Sequence, residues 1–441
     1  MAFISRSYLN RSGIFLSRVC RWCSANATDA LNDDPLNNVP VHIAEKLGRN
    51  LHLLPDHPLC TIRSIIEDYW QRRHRASGGP PFSCERDLHP IVSVRQCFDD
   101  LLIPIEHVSR RPSDTYYVDS QRVLRTHTSA HQSTLLSLKQ RDVTNDSLDA
   151  FLVSGDVYRR DEIDRSHYPV FHQMEGVRMF QSSANAAVPV DVVVADLKEG
   201  LEGMARELFG DVDMRWVDAY FPFTEPSFEL EVFYDGDWLE VLGCGVIEKA
   251  IVAKSGRNPD EEIGWAFGLG LERLAMVLFS IPDIRLFWST DPRFLDQFRS
   301  TCNGEPLPRG RAQKFEPYSR FPPCLKDISF WLPDGAVVLS SDDDLERRGL
   351  FDSRSEAQAR AEGRFIFHPN DLFEVVRGVA GDMVETVEFI DDFTHPKTGR
   401  RSQCYRIVFR HMDRNLTNEE VDAVQLVVRN TVREQLGVEL R

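Results

Sequence analysis

Between residues 41 and 100 apolar positions recur at helical spacing. In the stretch 61–70, Ile62, Ile65, Ile66, Tyr69 and Trp70 lie near one face at intervals of three and four, which predicts an amphipathic helix. The period then shortens. Residues 148–160 and 170–180 read as two strands flanking a charged loop. FELEVFYDGDWLEVL at 228–242 alternates apolar and polar around Asp235-Gly236-Asp237, the pattern of a β-hairpin. Leu269 to Phe279 reads as an apolar-rich helix after a Gly-rich turn. Further on, ISFWL, VETVEFI and CYRIVFRHM read as strands. A last helix is predicted over Asn418–Leu436, with Thr417 as N-cap and Glu420 three residues on. Both strands and helices are thus expected along the chain.

Punctuation divides the chain. DALNDDPLNNVP at 29–40 is polar and Pro-broken, a linker. TCNGEPLPRGRAQKFEPY at 301–318, rich in Gly, Pro and Arg, marks the main boundary. It leaves one domain over 41–300 and another over 319–441. The charged stretch 340–364 interrupts the second as an exposed insertion. The first 28 residues differ from the rest: Arg6, Arg11, Arg18 and Arg21 interleave with apolar residues, and no acid precedes Asp29. That is the makeup of a mitochondrial transit peptide, pointing to the matrix, with a plain basic tail as the alternative. No apolar run approaches the ~20 residues that span a bilayer, so no membrane partner is expected. The net charge of −16 leaves no global basic signature, so a nucleic-acid partner must meet local basic patches. Nine scattered cysteines include one pair at metal-like spacing, Cys20 and Cys23, with no second pair to complete it. No metal-binding site and reduced, intracellular thiols are the expectation.

The chemistry concentrates in two segments. In GDVYRRDEIDRSHYPVFHQMEG (155–176), Arg159 can fork onto an α-phosphate, Asp161 can accept from an adenine amino group, Phe171 offers a stacking face and His167 can reach outer phosphates. Each alone also suits a charged surface hairpin. In GWAFGLGLERLAM (264–276), Gly264, Gly268 and Gly270 permit close backbone approach, and Glu272-Arg273 opens the following helix. No Gly-x-Gly-x-x-Gly follows a strand in a βαβ unit, so a Rossmann site is excluded.

Together these strings resemble motifs 2 and 3 of class II aminoacyl-tRNA synthetases, and most closely the phenylalanine enzymes of mitochondria. The resemblance covers nearly everything after about residue 40. It implies an α+β protein with an antiparallel-sheet catalytic domain followed by a ferredoxin-like anticodon-binding domain. ATP would be held by Arg159, Asp161, Ser166, His167, Tyr168, Phe171, Gly268, Gly270 and Arg273, with Arg159 and Arg273 catalytic and Mg²⁺ neutralising the phosphates. Phenylalanine would be held by Ser129, Ala130, His131 and Gln132 of THTSAHQ, by Gln173, Met174 and Glu175, by Phe221 and Phe223 of the family's FPF segment, and by Glu240, Ala266 and Phe267. Ala266, near the ring's para position, implies an apolar wall that rejects tyrosine only about a hundredfold. The bacterial and cytosolic relatives edit on a separate subunit, for which this chain has no obvious room. Residues 88–104 loosely match motif 1, a helix and strand ending in proline. Relatives with fused domains are monomers, so a monomer is expected.

The resemblance also implies that tRNA(Phe) is the partner. Residues 395–414 carry Lys397, Arg400, Arg401, Arg406, Arg410 and Arg414 against the single acid Asp413. Lys397, Arg400, Arg401 and Arg406 could contact phosphates while Tyr405 stacks a base. A solvated charged strand is the bland alternative. The 340–364 insertion and RDVTN at 141–145 depart from the family pattern. The implied activity is a phenylalanine–tRNA ligase of mitochondrial translation. Rival readings are a synthetase-like enzyme that activates an amino acid for another purpose, and a non-catalytic RNA-binding relative. A hinge motion on tRNA binding is expected across the Gly/Pro-rich linker.

Overall fold

The computed structural model describes residues 27–76, 81–138, 149–182, 187–299, 314–316, 321–339, 362–412 and 414–441. Residues 1–26, RDVTN, most of 301–318 and 340–364, and Asp413 lie outside these. A seven-stranded sheet organises the first part. Its strands are β1 (Ser83–Glu85), β2 (Ala150–Tyr158), β3 (Val170–Gln181), β4 (Met214–Phe221), β5 (Thr224–Tyr234), β6 (Asp237–Ile247) and β7 (Glu262–Gly270). The order is β1-β2-β3-β7-β6-β5-β4, and only the β1–β2 pairing is parallel.

Helices α1 (Pro58–Ala76), α2 (Val190–Phe209) and α3 (Leu271–Phe279) pack together over the sheet. The predicted stripe on α1 is buried as its spacing requires: Ile62, Ile66 and Trp70 are at most 1% exposed. Trp70 stacks on Phe267 at 5.4 Å. A Cβ at Gly200 of α2 would lie 2.6 Å from the Trp70 ring, so glycine there lets the two helices close. The predicted hairpin is β5–β6. Asp235 and Gly236 both take positive φ, 53° and 92°, as a two-residue turn matched to strand twist demands.

Two expectations change. The Gly-rich segment before α3 is strand β7, not a turn. Gly264 falls in the ladder because a bulky neighbour occupies its side-chain space: a Cβ there would sit 2.3 Å from the Met179 sulfur. The motif 1 stretch forms a three-residue strand, Ile91–Ser93, a single helical turn, Val94–Cys97, opened by a Ser93/Gln96 capping box, and a 3-10 turn, Asp99–Leu101, in place of a long helix.

The second part is βαββαβ: β8 (Cys324–Trp331), α4 (Pro369–Ala380), β9 (Val384–Thr394), β10 (Arg401–Phe409), α5 (Asn418–Leu436) and β11 (Glu439–Leu440). The antiparallel sheet order β9-β10-β8-β11 is the ferredoxin-like arrangement. Helix α5 begins at the predicted Thr417/Glu420 capping box. This domain packs on the charged loop between β2 and β3. Arg160 pairs with Asp371 at 2.9 Å and Arg165 with Glu385 at 2.7 Å; Tyr168 donates to Asp382 at 2.8 Å. Arg377 donates to the carbonyls of Asp161 and Glu162 at 3.1 Å.

Candidate active site

Register across the large sheet builds the floor of the site. Glu175 of β3 pairs with Gly268 of β7, which pairs with Gly243 of β6, which pairs with Glu229 of β5. One step along, Val177 pairs with Ala266 and Ala266 with Gly245. Side chains on alternate residues share a face, so Gln173, Glu175 and Ala266 face the same way. The glycines keep the floor low between them: Gly268 and Gly270 have open space where a Cβ would stand. Above this floor lies a cavity of about 650 Å³, lined by the segment 126–129 and Gln132, by Arg159 and Asp161, and by Phe221 and Phe223 at its apolar end. A larger cleft, about 750 Å³, lies where residues 38–45 meet α4 and α5; it adjoins none of the cavity's floor residues.

Glu175 is the centre of the polar end. It is 2% exposed, and neither carboxylate oxygen has a hydrogen-bond partner of ordinary geometry. Burial pushes its pKa up to about 8, only partly offset by Ser129. A buried acid left without a partner is the counterpart of a cation that arrives with a ligand. The Phe221 and Phe223 rings stack nearly parallel at 5.7 Å, with Ala266 facing the same cavity. Arg159 lies over the Phe171 ring at 5.2 Å and donates from Nε to the Thr126 carbonyl at 2.9 Å, which fixes its stem and leaves the fork free to point inward. His167 is tied to Asp164 at 2.7 Å, and that bond raises its pKa to about 9, so it is cationic at neutral pH. Arg273 is more than half exposed at the rim, 3.8 Å from Glu240.

Several predicted contacts are displaced from the cavity, those on strands by alternation. Met174 faces the helices and is fully buried there, and the Phe267 ring is stacked on Trp70, so Phe267 offers the cavity little beyond its backbone. Ala130 is packed in the core, and His131 stands behind the wall, its Nε2 2.9 Å from Arg125 Nη1. Tyr168 stacks on Trp288 and bonds the second domain, away from the cavity lining. Ser166 bonds Asp164 and, like His167, lies in the β2–β3 loop outside the lining.

Sequence reasoning missed three features. His127 lines the cavity beside Arg159 and is held neutral, its pKa lowered to about 3 by burial. The stretch Ile103–Thr115 supplies a further wall, including Asp114, whose pKa burial raises to about 6. Beneath the site, fully buried Arg125 binds Asp156 at 2.5 Å, and Tyr158 donates to the same carboxylate. Only the spacing of His127 within THTSAHQ was visible beforehand; the rest are contacts between distant segments.

The proposed RNA strand divides in the same way. On β10, Arg401 and Tyr405 turn toward the helices. Tyr405 is 2% exposed and donates to Gln403, so it is not available to stack a base. Arg406 faces outward but pairs with Asp327, Arg401 pairs with Asp392, and Arg400 pairs with Glu439. Lys397 is exposed. The outer face instead carries Trp331 and Phe393, both in register with Ser402 and 6.3 Å apart, with Arg441 over both rings and Arg400 over Trp331.

Among the described residues no cluster of His, Cys, Asp and Glu could hold a metal ion by itself, and no helix is long and apolar enough to cross a membrane. Residues 84–298 match the class II core domain (F) of tRNA synthetases, and residues 367–441 match the ferredoxin-fold anticodon-binding domain. The chain is 50% identical over 412 residues to the chloroplastic/mitochondrial phenylalanine–tRNA ligase of Arabidopsis thaliana, covering 93% of this chain and 84% of the relative. It is 43% identical over 436 residues to the mitochondrial phenylalanine–tRNA ligase of Mus musculus, covering 92% and 86%. It is 35% identical over 508 residues to that of Saccharomyces cerevisiae, covering both chains completely. With a class II core and an anticodon-binding fold in one polypeptide, the chain belongs to the mitochondrial phenylalanine–tRNA ligase family of class II aminoacyl-tRNA synthetases.

Proposed function

We propose that the chain activates phenylalanine with ATP and transfers it to tRNA(Phe) in the mitochondrial matrix, acting as a monomer. The observation that carries this reading is the buried Glu175, neither of whose carboxylate oxygens has a hydrogen-bond partner of ordinary geometry, in a cavity also lined by Phe221, Phe223 and Ala266. An α-ammonium satisfies the first, and a phenyl ring fills the second. Gln173, Ser129 and Gln132 complete the polar end. Two stacked rings offer a third ring edge or face contact of about 0.5–1.5 kcal/mol beyond burial.

The phenylalanine carboxylate attacks the α-phosphorus and pyrophosphate leaves. The tRNA's terminal ribose 2′-hydroxyl then attacks the acyl carbon and AMP leaves. No side chain need form a covalent bond. Arg159 stabilises charge on the α-phosphate, His167 meets the outer phosphates, and Phe171 and Arg273 take opposite faces of adenine beside Asp161, with catalysis by position and charge. Gly268 and Gly270 give the nucleotide room. Mg²⁺ suits the acidic side of the cavity: Glu229 has its pKa raised by burial and then by Glu240 and Glu231, a cluster of like charge that a phosphate-borne cation would relieve. When bound it would neutralise the phosphates, with Glu229 and Glu240 as its protein neighbours.

The proposed division is residues 41–300 for catalysis, 301–318 as linker and 319–441 for the tRNA, with 1–28 as the import signal. For the tRNA we favour the outer face of the second sheet, where Arg400 lies over Trp331 and Arg406 faces outward, together with exposed Lys397, over the helix-side Arg401 and Tyr405. Charging of mitochondrial tRNA(Phe) transcript by the purified chain tests the reading. Acid-stable phenylalanyl-tRNA is the expected product; activation without transfer would refute it. Fusing residues 1–28 to a fluorescent reporter tests the location, and a reporter left in the cytosol would count against it.

A further inference from the structure

The register of the large sheet leaves one junction unexplained by backbone pairing. The β3–β7 ladder runs from Gln181–Glu262 to Gln173–Gly270 and stops there, because the chain turns at Leu271 into α3. Phe171 and His172 of β3 therefore extend past the end of their neighbour. At that point the N–H of His172 is taken by the Glu272 carboxylate, Oε2 at 2.8 Å, while Oε1 lies 2.7 Å from His172 Nδ1. Both side chains are buried, 0% and 3% exposed. One carboxylate thus continues the sheet where the strand has ended, and grips residue 172 by main chain and side chain at once.

The neighbours of this pair in sequence matter. His172 follows Phe171, and alternation sends the two side chains to opposite faces of β3. Glu272 precedes Arg273 in the first turn of α3. The two residues read above as the walls of the adenine pocket are each one peptide bond from a member of the clamp. The clamp sits in a packed layer, with the His52 ring 5.1 Å from His172 and Trp288 at 6.2 Å, so it has little freedom to shift. The amino-acid residues Gln173, Glu175, Ala266 and Gly268 are held differently, by the ladder itself.

We infer that Glu272 and His172 are positioning residues for ATP: they fix the gap and angle between the Phe171 ring and the Arg273 guanidinium, and have little part in holding phenylalanine. This rests on the reading that Phe171 and Arg273 enclose the adenine. A buried charge-assisted pair of this geometry suits the role because it is short, directional and slow to rearrange.

The experiment is phenylalanine-dependent ATP–pyrophosphate exchange on the full chain, with the two KM values measured separately. Glu272→Ala is expected to raise KM for ATP at least tenfold and to leave KM for phenylalanine within twofold. Glu272→Gln keeps an oxygen for the His172 N–H and is expected to recover part of the loss. If Glu272→Ala does not fold, Glu272→Gln and His172→Gln carry the test through the same KM split. Equal rises in both KM values, or a lowered melting temperature with neither KM changed, would overturn the proposal. Arg273→Ala separates the two levels. If it raises KM for ATP while the Glu272 variants do not, the clamp alone is refuted. If it leaves KM for ATP unchanged, the adenine reading of this corner falls and the proposal with it.

Discussion

Phenylalanine binding should expel a proton, because Glu175 holds one until the ligand's ammonium arrives. With burial raising its pKa to about 8, the carboxyl is about nine-tenths protonated at pH 7 in the empty enzyme. An ammonium docked against it favours the ionised form. Binding at pH 7 should therefore release about 0.9 proton, falling to about a quarter of a proton at pH 8.5. Ionising the group at pH 7 costs about 1.4 kcal/mol, so apparent affinity should improve nearly tenfold between pH 7 and 8.5, before the ligand's own amine titrates. The sign for stability is opposite to that of a paired acid. The folded carboxyl keeps its proton up to about pH 8, whereas an unfolded glutamate loses it near 4.5. Apo stability should fall as pH rises through that window, and bound phenylalanine should offset the fall. Calorimetric titration in buffers of different ionisation enthalpy counts the protons directly. Glu175→Gln should abolish the release and weaken binding by about 1.5–3 kcal/mol, the range for a hydrogen bond to a charged group. No proton release at pH 7, together with affinity flat from pH 6.5 to 8.5, would refute the assignment of Glu175 to the ammonium.

Other expectations follow from the same geometry. Gly264→Ala should destabilise the fold by about 1–3 kcal/mol, because its Cβ would meet the Met179 sulfur and the Arg178 carbonyl, whereas Gly268→Ala should be tolerated in thermal melts. Equal melting temperatures for the two would contradict the register given for β7. Tyrosine should be activated at measurable rate, about a hundredfold below phenylalanine, and Ala266→Gly should narrow that ratio; tyrosine exchange unchanged in the variant would remove Ala266 from the ring's end of the pocket. The domain contacts through Asp371, Asp382 and Glu385 hold the β2–β3 loop, so a hinge opening on tRNA binding must break them. Small-angle scattering should show expansion when tRNA(Phe) is added, and an unchanged radius would rule the hinge out.

Local patterns were legible wherever chemistry repeats along the chain. The face of α1, the Asp235-Gly236 turn and the Thr417/Glu420 cap were all readable, because each depends on residues within a few positions of one another. The motif strings led to Arg159, Glu175 and Phe221, all of which converge on one cavity. What failed was side-chain direction within those strings. Met174 and Tyr405 were grouped with their neighbours, yet a strand sends successive residues to opposite faces, and the core claims one of each pair. The Gly-rich segment read as a turn because glycine usually marks one. In β7 Gly264 instead answers to Met179 of β3, which no local pattern reveals. The acids that neutralise the basic strand, Asp327 and Asp392, lie on other strands and were invisible for the same reason. The Arg125–Asp156 pair and the 103–115 wall are long-range contacts of that kind.

The measurement that bears most directly on the central claim is ATP–pyrophosphate exchange by the purified chain, with phenylalanine and with no amino acid, for the wild type and Arg159→Ala. The account predicts exchange that depends on phenylalanine. It predicts a loss of at least about a hundredfold in Arg159→Ala, as expected on removing a group that stabilises developing charge, with phenylalanine binding kept within a few-fold. Exchange without phenylalanine, or a near wild-type rate in Arg159→Ala, would contradict it.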